Sequence, residues 1–393
     1  MTSRGQSITV AIEDLTIAAH SNEPSHCDWL REFLEPDFNV RNGEAADCSV
    51  HVVEDAGLFD EALGPGPVDG ATLLDCFALD SSVVRLPILK RHGRTTIVHD
   101  EPFEAVYVID ADAGNVAILA RPGSKRVRAS LLRVAREFAM NHLHPRGLFL
   151  HASAVARGDR GIAVAGRKAA GKTTVLTYLL STGFGDYLSN DRVFVANEAS
   201  RQVIRNIPTV ISVRPGTLDL CPDFGSRFRS SGYSTYLLSL AEIANRPKEP
   251  PLLNQFGNYF LSPAQYRGLL DARQRPSAVA NTLVFPVVCG EVRGFRIREL
   301  STSEALDRLP DALLGAGGWR KGTEAFTMPG VSSAPDRTAL AERSEHFCSA
   351  VRCLELRLGS EAYADGILAD ELATFVDAGA EPVTITIDPQ PDE

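Results

Sequence analysis

The chain of 393 residues is long enough for two or three domains, each with its own core. Hydrophobic residues make up 44% and charged residues 23%, as in ordinary globular proteins, and the net charge of −10 argues against nucleic acid or an anionic membrane as the main partner. The seven cysteines are scattered, without a C-x-x-C pair, which indicates reduced thiols rather than disulfides or a zinc site. Since neither a signal-peptide core nor a membrane-length apolar run occurs, we expect a cytoplasmic protein.

The first third of the chain has the pattern of a small α+β domain, which we place at residues 1–123. A short helical pattern, DWLREFL, precedes strand-like runs separated by Gly, Asp and Pro, namely CSVHVVED, SVVRLPILKR, RTTIVHD, FEAVYVIDAD and NVAILARP. Residues 124–143 then place apolar side chains at helical spacing with most basic residues elsewhere. This predicts an amphipathic helix that leads into the next domain.

The middle of the chain alternates strand and helix patterns, which predicts an α/β nucleotide-binding core over residues 124–362. GLFLHASAVA, GIAVAG and YLSNDRVFVA are each expected to form a strand, and GKTTVLTYLLSTG a helix. Residues from about 218 to 280 mix Pro, Arg and aromatic side chains, so we expect an insertion that serves as a substrate-side lid. Residues 363–393 have the pattern of a helix and a strand added at the end of the domain.

A short helix is predicted to open within the segment STSEALDRL. Ser301 or Thr302 can accept a hydrogen bond as its N-cap, and Glu304 falls in its first turn.

One loop matches the pattern G-x-x-x-x-G-K-[ST] between a predicted strand and a predicted helix. Its glycines let the backbone curl so that N–H groups point at phosphate oxygens, and the following helix adds the positive end of its dipole. Lys172 can reach the β- and γ-phosphates and the Thr173 hydroxyl can ligate Mg²⁺. The alternative is a glycine turn with an accidental lysine. The predicted nucleotide-binding residues are Gly166, Arg167, Lys168, Ala169, Ala170, Gly171, Lys172, Thr173 and Thr174.

Three further positions complete the candidate site. Asp191 follows an apolar strand and is our candidate second ligand of the metal, although Asn190 and Asp191 can also form a simple turn. His151 lies on the strand before the loop and is either catalytic or a buried structural histidine. Arg214, between a strand and a Pro-Gly turn, is either an anion clamp or a solvated arginine.

The segment from LHASAVA through GIAVAGRKAAGKTTVLTYLLSTGFGDYLSNDRVFV resembles the catalytic core of HPr kinase/phosphorylase and its relatives. Its SNDR ending resembles the HPr-kinase-related kinase B group of that family. The resemblance covers residues from about 148 to 217, and it implies a bacterial kinase whose fold is similar to the C-terminal nucleotide-binding domain of phosphoenolpyruvate carboxykinase. It also implies ATP and Mg²⁺ as cofactors, a hydroxyl-bearing acceptor such as a peptide serine or a small molecule, and homo-oligomers.

Position by position, the resemblance makes His151 the site histidine and Asp191 the metal ligand, while the family's acidic base falls on Asn190. An amide cannot take a proton. Because phosphoryl transfer depends mainly on positioning and charge stabilisation, we expect a kinase in which Lys172, Asn190, His151, Asp191 and Arg214 line the reaction centre. The alternatives are a catalytically weak nucleotide-binding regulatory or scaffold module, and a hydrolase or phosphorylase that runs the reaction in reverse.

Overall fold

The described residues form two compact units in a computed structural model, one up to Pro145 and one from Arg146 onward. The structure describes residues 5–43, 46–67, 72–77, 83–93, 95–124, 126–198, 201–231, 258–314, 337–364, 366–377 and 385–386. Both units combine helices with mixed sheets, so the protein is of the α/β class. Among the described residues, none of the helices has the length and hydropathy needed to cross a bilayer.

The first unit is built on a nine-stranded sheet in the order β3-β1-β2-β4-β9-β8-β7-β6-β5. Its strands are β1 (Gln6–Ile12), β2 (Leu15–Ser21), β3 (Asn39–Arg41), β4 (Cys48–Glu54), β5 (Leu73–Phe77), β6 (Val83–His92), β7 (Thr95–Asp100), β8 (Ala105–Asp110) and β9 (Asn115–Ala120). Its helices are α1 (Pro24–Leu34), α2 (Ala56–Leu63) and α3 (Val127–Leu143). The runs expected as strands are found, whereas β1, β2, β3, β5 and α2 are elements that the sequence patterns did not predict.

Helix α3 lies where the amphipathic helix was expected, but it belongs to the first unit and contacts β2, β4 and β9. The expectation that its basic residues avoid the buried side is wrong for two arginines, since Arg133 and Arg136 are fully buried. Arg133 forms an ion pair with Asp100 and donates a hydrogen bond to Tyr107 Oη at 3.0 Å. A carboxylate from a strand of the sheet therefore makes this arginine of α3 acceptable in the core.

The second unit contains a ten-stranded sheet whose strands are β10 (Gly147–Leu150), β11 (Ala152–Arg157), β12 (Arg160–Ala165), β13 (Asp186–Ser189), β14 (Val193–Glu198), β15 (Arg201–Asn206), β18 (Ser277–Val288), β19 (Phe295–Glu299), β20 (Arg352–Leu358) and β21 (Ile385–Thr386). Seven of them follow the order β10-β14-β15-β18-β12-β11-β13, and the other three are attached because β20 pairs with β18, β19 with β20, and β21 with β19. Strands β12, β18 and β20 run parallel to one another. Their C-terminal ends therefore meet at one edge, where α/β sheets bind ligands.

Seven described helices and a two-stranded sheet complete the second unit. They are α4 (Lys172–Ser181), α5 (Pro215–Leu220), α6 (Pro222–Ser230), α7 (Pro263–Leu270), α8 (Thr302–Arg308), α9 (Arg337–Ala350), α10 (Ile367–Asp377), β16 (Ile211–Val213) and β17 (Tyr259–Leu261). Ser301 caps α8 and forms the expected capping box with Glu304. Apolar residues of α4 and α10 share one core with β12, β18 and β20. The helix expected in a C-terminal extension is thus part of this unit's core.

The predicted insertion over residues 218–280 is described in part. The second half of α5, together with α6, β17 and α7, lies within it, and α5, α6 and α7 pack against α4. Residues 232–257 lie outside the described residues. The described part of the insertion therefore supports helix α4, and a lid function for the whole segment stays a prediction.

Candidate functional site

Strand β12, residues 166–171 and helix α4 form a strand–loop–helix unit, and we call residues 166–171 the glycine loop. The backbone has positive φ at Gly166 (154°), Ala169 (73°) and Gly171 (94°). Glycine adopts such angles without strain, whereas alanine is strained there by about 1 kcal/mol. Gly171 is also the N-cap of α4, so the loop ends at the unpaired N–H groups of the first helical turn, which suit an anion.

Lys172 is the first residue of α4 and is buried. Its Nζ donates hydrogen bonds to the carbonyl oxygens of Gly166 and Arg167, both at 2.9 Å. The ammonium group therefore lies across the loop, whose tip residues Arg167, Lys168 and Ala169 are exposed. The Lys172 ammonium group and the N–H groups at the start of α4 both place positive charge at the loop, which makes the loop electropositive.

Asn190 contacts the first turn of α4. Its Oδ1 accepts a hydrogen bond from Thr173 Oγ1 at 3.3 Å and a second from Ser153 Oγ at 2.8 Å. Ser153 and Asn190 are both buried, so Ser153 holds the amide with its oxygen toward Thr173. The residue that meets the predicted metal-binding hydroxyl is therefore Asn190.

Asp191 pairs with His151. The distance between His151 Nε2 and Asp191 Oδ1 is 3.1 Å, and the side chains are 5% and 15% exposed. Asp191 has a φ of 67°, a left-handed conformation that aspartate adopts more readily than most residues. The main-chain N–H of His151 donates to the carbonyl oxygen of Ala312 at 2.6 Å. The site thus has a carboxylate–imidazole pair in which the carboxylate is the more accessible partner.

Arg214 is the N-cap residue of α5 and is half-buried. One turn later, Thr217 shares a hydrogen bond of 2.9 Å with Thr174, which follows Thr173 in the first turn of α4. The Arg214 guanidinium makes no hydrogen bond or ion pair with any residue that the structure describes. Its position beside the start of α4 and its unused donors are consistent with either of the two roles considered for it, anion clamp or solvated arginine.

A magnesium ion prefers oxygen ligands and usually keeps several waters, with phosphates supplying much of the negative charge. Thr173 Oγ1 and Asn190 Oδ1 are two oxygens 3.3 Å apart, so they fit such a cation. Asp191 stays a predicted ligand, because the contact that the structure gives for its Oδ1 is to His151. In the described part of the chain, no three His, Cys, Asp or Glu side chains group as metal ligands.

Sequence reasoning missed Ser153 and Thr217. Ser153 lies on β11 two residues after His151, so the segment that carries the candidate histidine could have drawn attention to it. Thr217 could not be found in this way, because its contact with Thr174 joins elements 43 residues apart. The first residue orients Asn190 and the second fixes α5 against α4.

Comparison with known proteins gives no support to any assignment, since no family model and no curated protein matches the chain.

Proposed function

We propose that the chain is a kinase that binds ATP with Mg²⁺ and transfers the γ-phosphate to a hydroxyl group of a small molecule, a peptide or a protein. The observation that carries this proposal is the buried Lys172 lying across a glycine loop that opens helix α4, with Thr173 in contact with Asn190. Lysine, loop N–H groups and a hydroxyl at these positions are what a triphosphate and its metal require. The bound cation would neutralise charge on the phosphate oxygens.

The pair of His151 and Asp191 supplies the proton acceptor that Asn190 cannot supply. Asp191 is the more exposed of the two, so its carboxylate can take the proton of the acceptor hydroxyl while His151 orients it. A general base contributes ~10²–10⁴-fold to the rate. In this proposal Thr173 and Asn190 face the cation, and Arg214 binds an anionic group of the phosphate donor or of the acceptor.

Calorimetry with Mg·ATP tests the nucleotide site. We expect binding by the wild type and its loss in Lys172→Ala, because the ammonium group is the central cation of the loop. Lys90→Ala removes an equal charge from an exposed position of the first unit and should bind like the wild type. ADP release measured without an acceptor and then with a panel of alcohols and serine peptides tests transfer. Unchanged binding in Lys172→Ala would remove the loop from the proposal.

Asp191→Asn separates the two roles considered for the carboxylate. Asparagine also tolerates a positive φ, so the backbone should stay as it is. For a base we expect turnover to fall by ~10²–10⁴-fold at unchanged Mg·ATP affinity. For a metal ligand the Mg²⁺ dependence of ATP binding should weaken instead. Full activity with unchanged affinity would exclude both roles.

One observation favours a second function, a regulatory module that binds nucleotide without turnover. The neutral Asn190 amide occupies the contact with Thr173, where a carboxylate usually holds the cation in phosphate-loop enzymes. ATP binding without ADP release under any acceptor condition would support this module over the kinase.

A further inference from the structure

The two sides of the glycine loop differ in chemistry. Strand β12, which leads into the loop, has β11 and then β13 on one side and β18 and then β20 on the other. The first side carries the polar residues of the site, because Ser153 is on β11 and Asn190 directly follows β13. The C-terminal end of β18 on the second side is apolar, with Val287 and Val288 as its last residues.

Val288 is the exposed end of a row of core residues. Successive side chains of a strand point to opposite faces, so Val284, Pro286 and Val288 share one face of β18. Val284 and Pro286 are buried, while Val288 is 67% exposed. On β20 the residue paired with Val288 is Leu358, a member of the same core as helix α4. Val288 therefore extends the α4 face of the sheet beyond its covered part.

This aliphatic surface adjoins the glycine loop. A methyl group on the Cα of Gly171 would lie 3.6 Å from Val288 Cγ2 and 3.8 Å from Leu358 Cδ1. If the phosphates of a ligand rest on the loop and the start of α4, the part of that ligand that extends away from the polar side therefore contacts Val288. An apolar, planar group is the part of a nucleotide that gains from this contact.

We propose that Val288, with Leu358 beneath it, is the surface on which the nucleoside base rests, so that the nucleotide lies across the loop with its terminal phosphate toward Asn190 and its base toward β18. This inference rests on the proposed nucleotide site. It assigns an orientation to the ligand, because the polar groups that act on the terminal phosphate and the aliphatic surface lie on opposite sides of β12.

The test compares Mg·ATP with inorganic tripolyphosphate and Mg²⁺, a ligand without a base, by calorimetry. Val288→Thr keeps the branched shape and replaces one methyl by a hydroxyl, so ATP binding should weaken about five-fold while tripolyphosphate binding stays unchanged. Val287→Thr is the matched control. Its position is the neighbouring exposed valine (40%), whose side chain points to the opposite face, and both ligands should bind as to the wild type.

The outcomes separate this inference from the proposed function. Equal ATP affinity in Val288→Thr and the wild type, or an equal loss for both ligands, would overturn the base surface and leave the phosphate site intact. Equal affinity of the wild type for ATP and tripolyphosphate would overturn it as well. If Lys172→Ala binds both ligands like the wild type, or the wild type binds neither, the nucleotide site itself fails and the base surface with it.

Discussion

The substitution Asn190→Asp puts a negative charge where the neutral amide meets Thr173. The new carboxylate would be buried like the amide, which is 2% exposed, and would be next to Asp191 in the chain. The hydroxyls of Ser153 and Thr173, at 2.8 and 3.3 Å from the amide oxygen, can donate to it. In the absence of a cation, the new carboxylate therefore has two neutral hydroxyl donors, and the contacts that the structure gives for Asn190 include no positively charged group.

The size of the effect follows from the burial and from those two donors. An unpaired buried charge costs about 3–5 kcal/mol, and each of the two existing hydrogen bonds gains about 1 kcal/mol when its acceptor becomes charged. We therefore expect Asn190→Asp to lower the free energy of unfolding by about 2 kcal/mol in the absence of cations. A shift of about 2–4 °C in Tm per kcal/mol makes this a loss of about 4–8 °C. Protonation at lower pH should reduce the loss, because the neutral carboxyl form is the one that burial favours.

Thermal unfolding in EDTA and in Mg²⁺ measures both consequences. If Thr173 and position 190 face the cation, Mg²⁺ at about 100 times its Kd should restore about 2.7 kcal/mol to the variant and leave the wild type unchanged. Asn206→Asp is the matched control, since Asn206 is also buried and accepts a hydrogen bond from Ser189 at 2.7 Å rather than from α4. It should be destabilised without recovery in Mg²⁺. A variant at position 190 that is as stable as the wild type in EDTA, or recovers no better than Asn206→Asp, would refute the reasoning.

Three further predictions concern the backbone, the core and the anion clamp. Ala169→Gly relieves a φ of 73° and should stabilise the protein relative to Ala170→Gly, which has no positive φ to relieve, by about 1 kcal/mol in denaturant unfolding. Tyr266→Phe removes a buried 2.7 Å hydrogen bond to Thr177 and should cost about 1 kcal/mol. Burial raises the pKa of Tyr266 in the folded protein, whereas an unfolded tyrosine ionises above about pH 10. The stability that the neutral Tyr266 contributes is therefore complete below about pH 10 and is lost as the pH rises further, so Tyr266→Phe should lose less stability than the wild type above about pH 10. Arg214→Gln should change the unfolding free energy by less than about 0.5 kcal/mol while acceptor-dependent turnover falls, and a stability loss without an activity loss would contradict a ligand role.

Features that depend on neighbouring residues in the chain were predictable from the sequence. The glycine loop has a strand before it and a helix after it, and Ser301 with Glu304 forms the expected capping box. Both follow from hydrogen-bonding geometry within a few residues. The runs expected as strands in the first unit are also present, because the alternation of side chains is a local signal.

Features that depend on distant partners were not predictable. Arg133 is buried because Asp100 and Tyr107 meet it from other elements. The helix over 127–143 packs on the first sheet although its pattern is equally compatible with the second domain. Burial of α10 likewise depends on core residues of β12 and α4 that are far away in sequence. In each case the pattern of one segment does not identify the surface that will cover it.

The two most consequential errors fall on the candidate site itself. GLFLHASAVA was expected to be one strand, but it is interrupted at His151, so that β10 pairs with β14 and β11 with β12 and β13. YLSNDRVFVA was also expected to be one strand, but it turns at Asn190 and Asp191, where φ reaches 67°. The apolar residues on both sides of His151 hide the first interruption, whereas the second falls in a polar stretch where a turn at Asn190 and Asp191 was already one of the alternatives. A strand that continued through either position would turn successive side chains to opposite faces, and Asn190 could not meet Thr173 while Asp191 meets His151. The interruptions thus bring together the four groups that the proposed chemistry uses, which is where local rules are expected to fail.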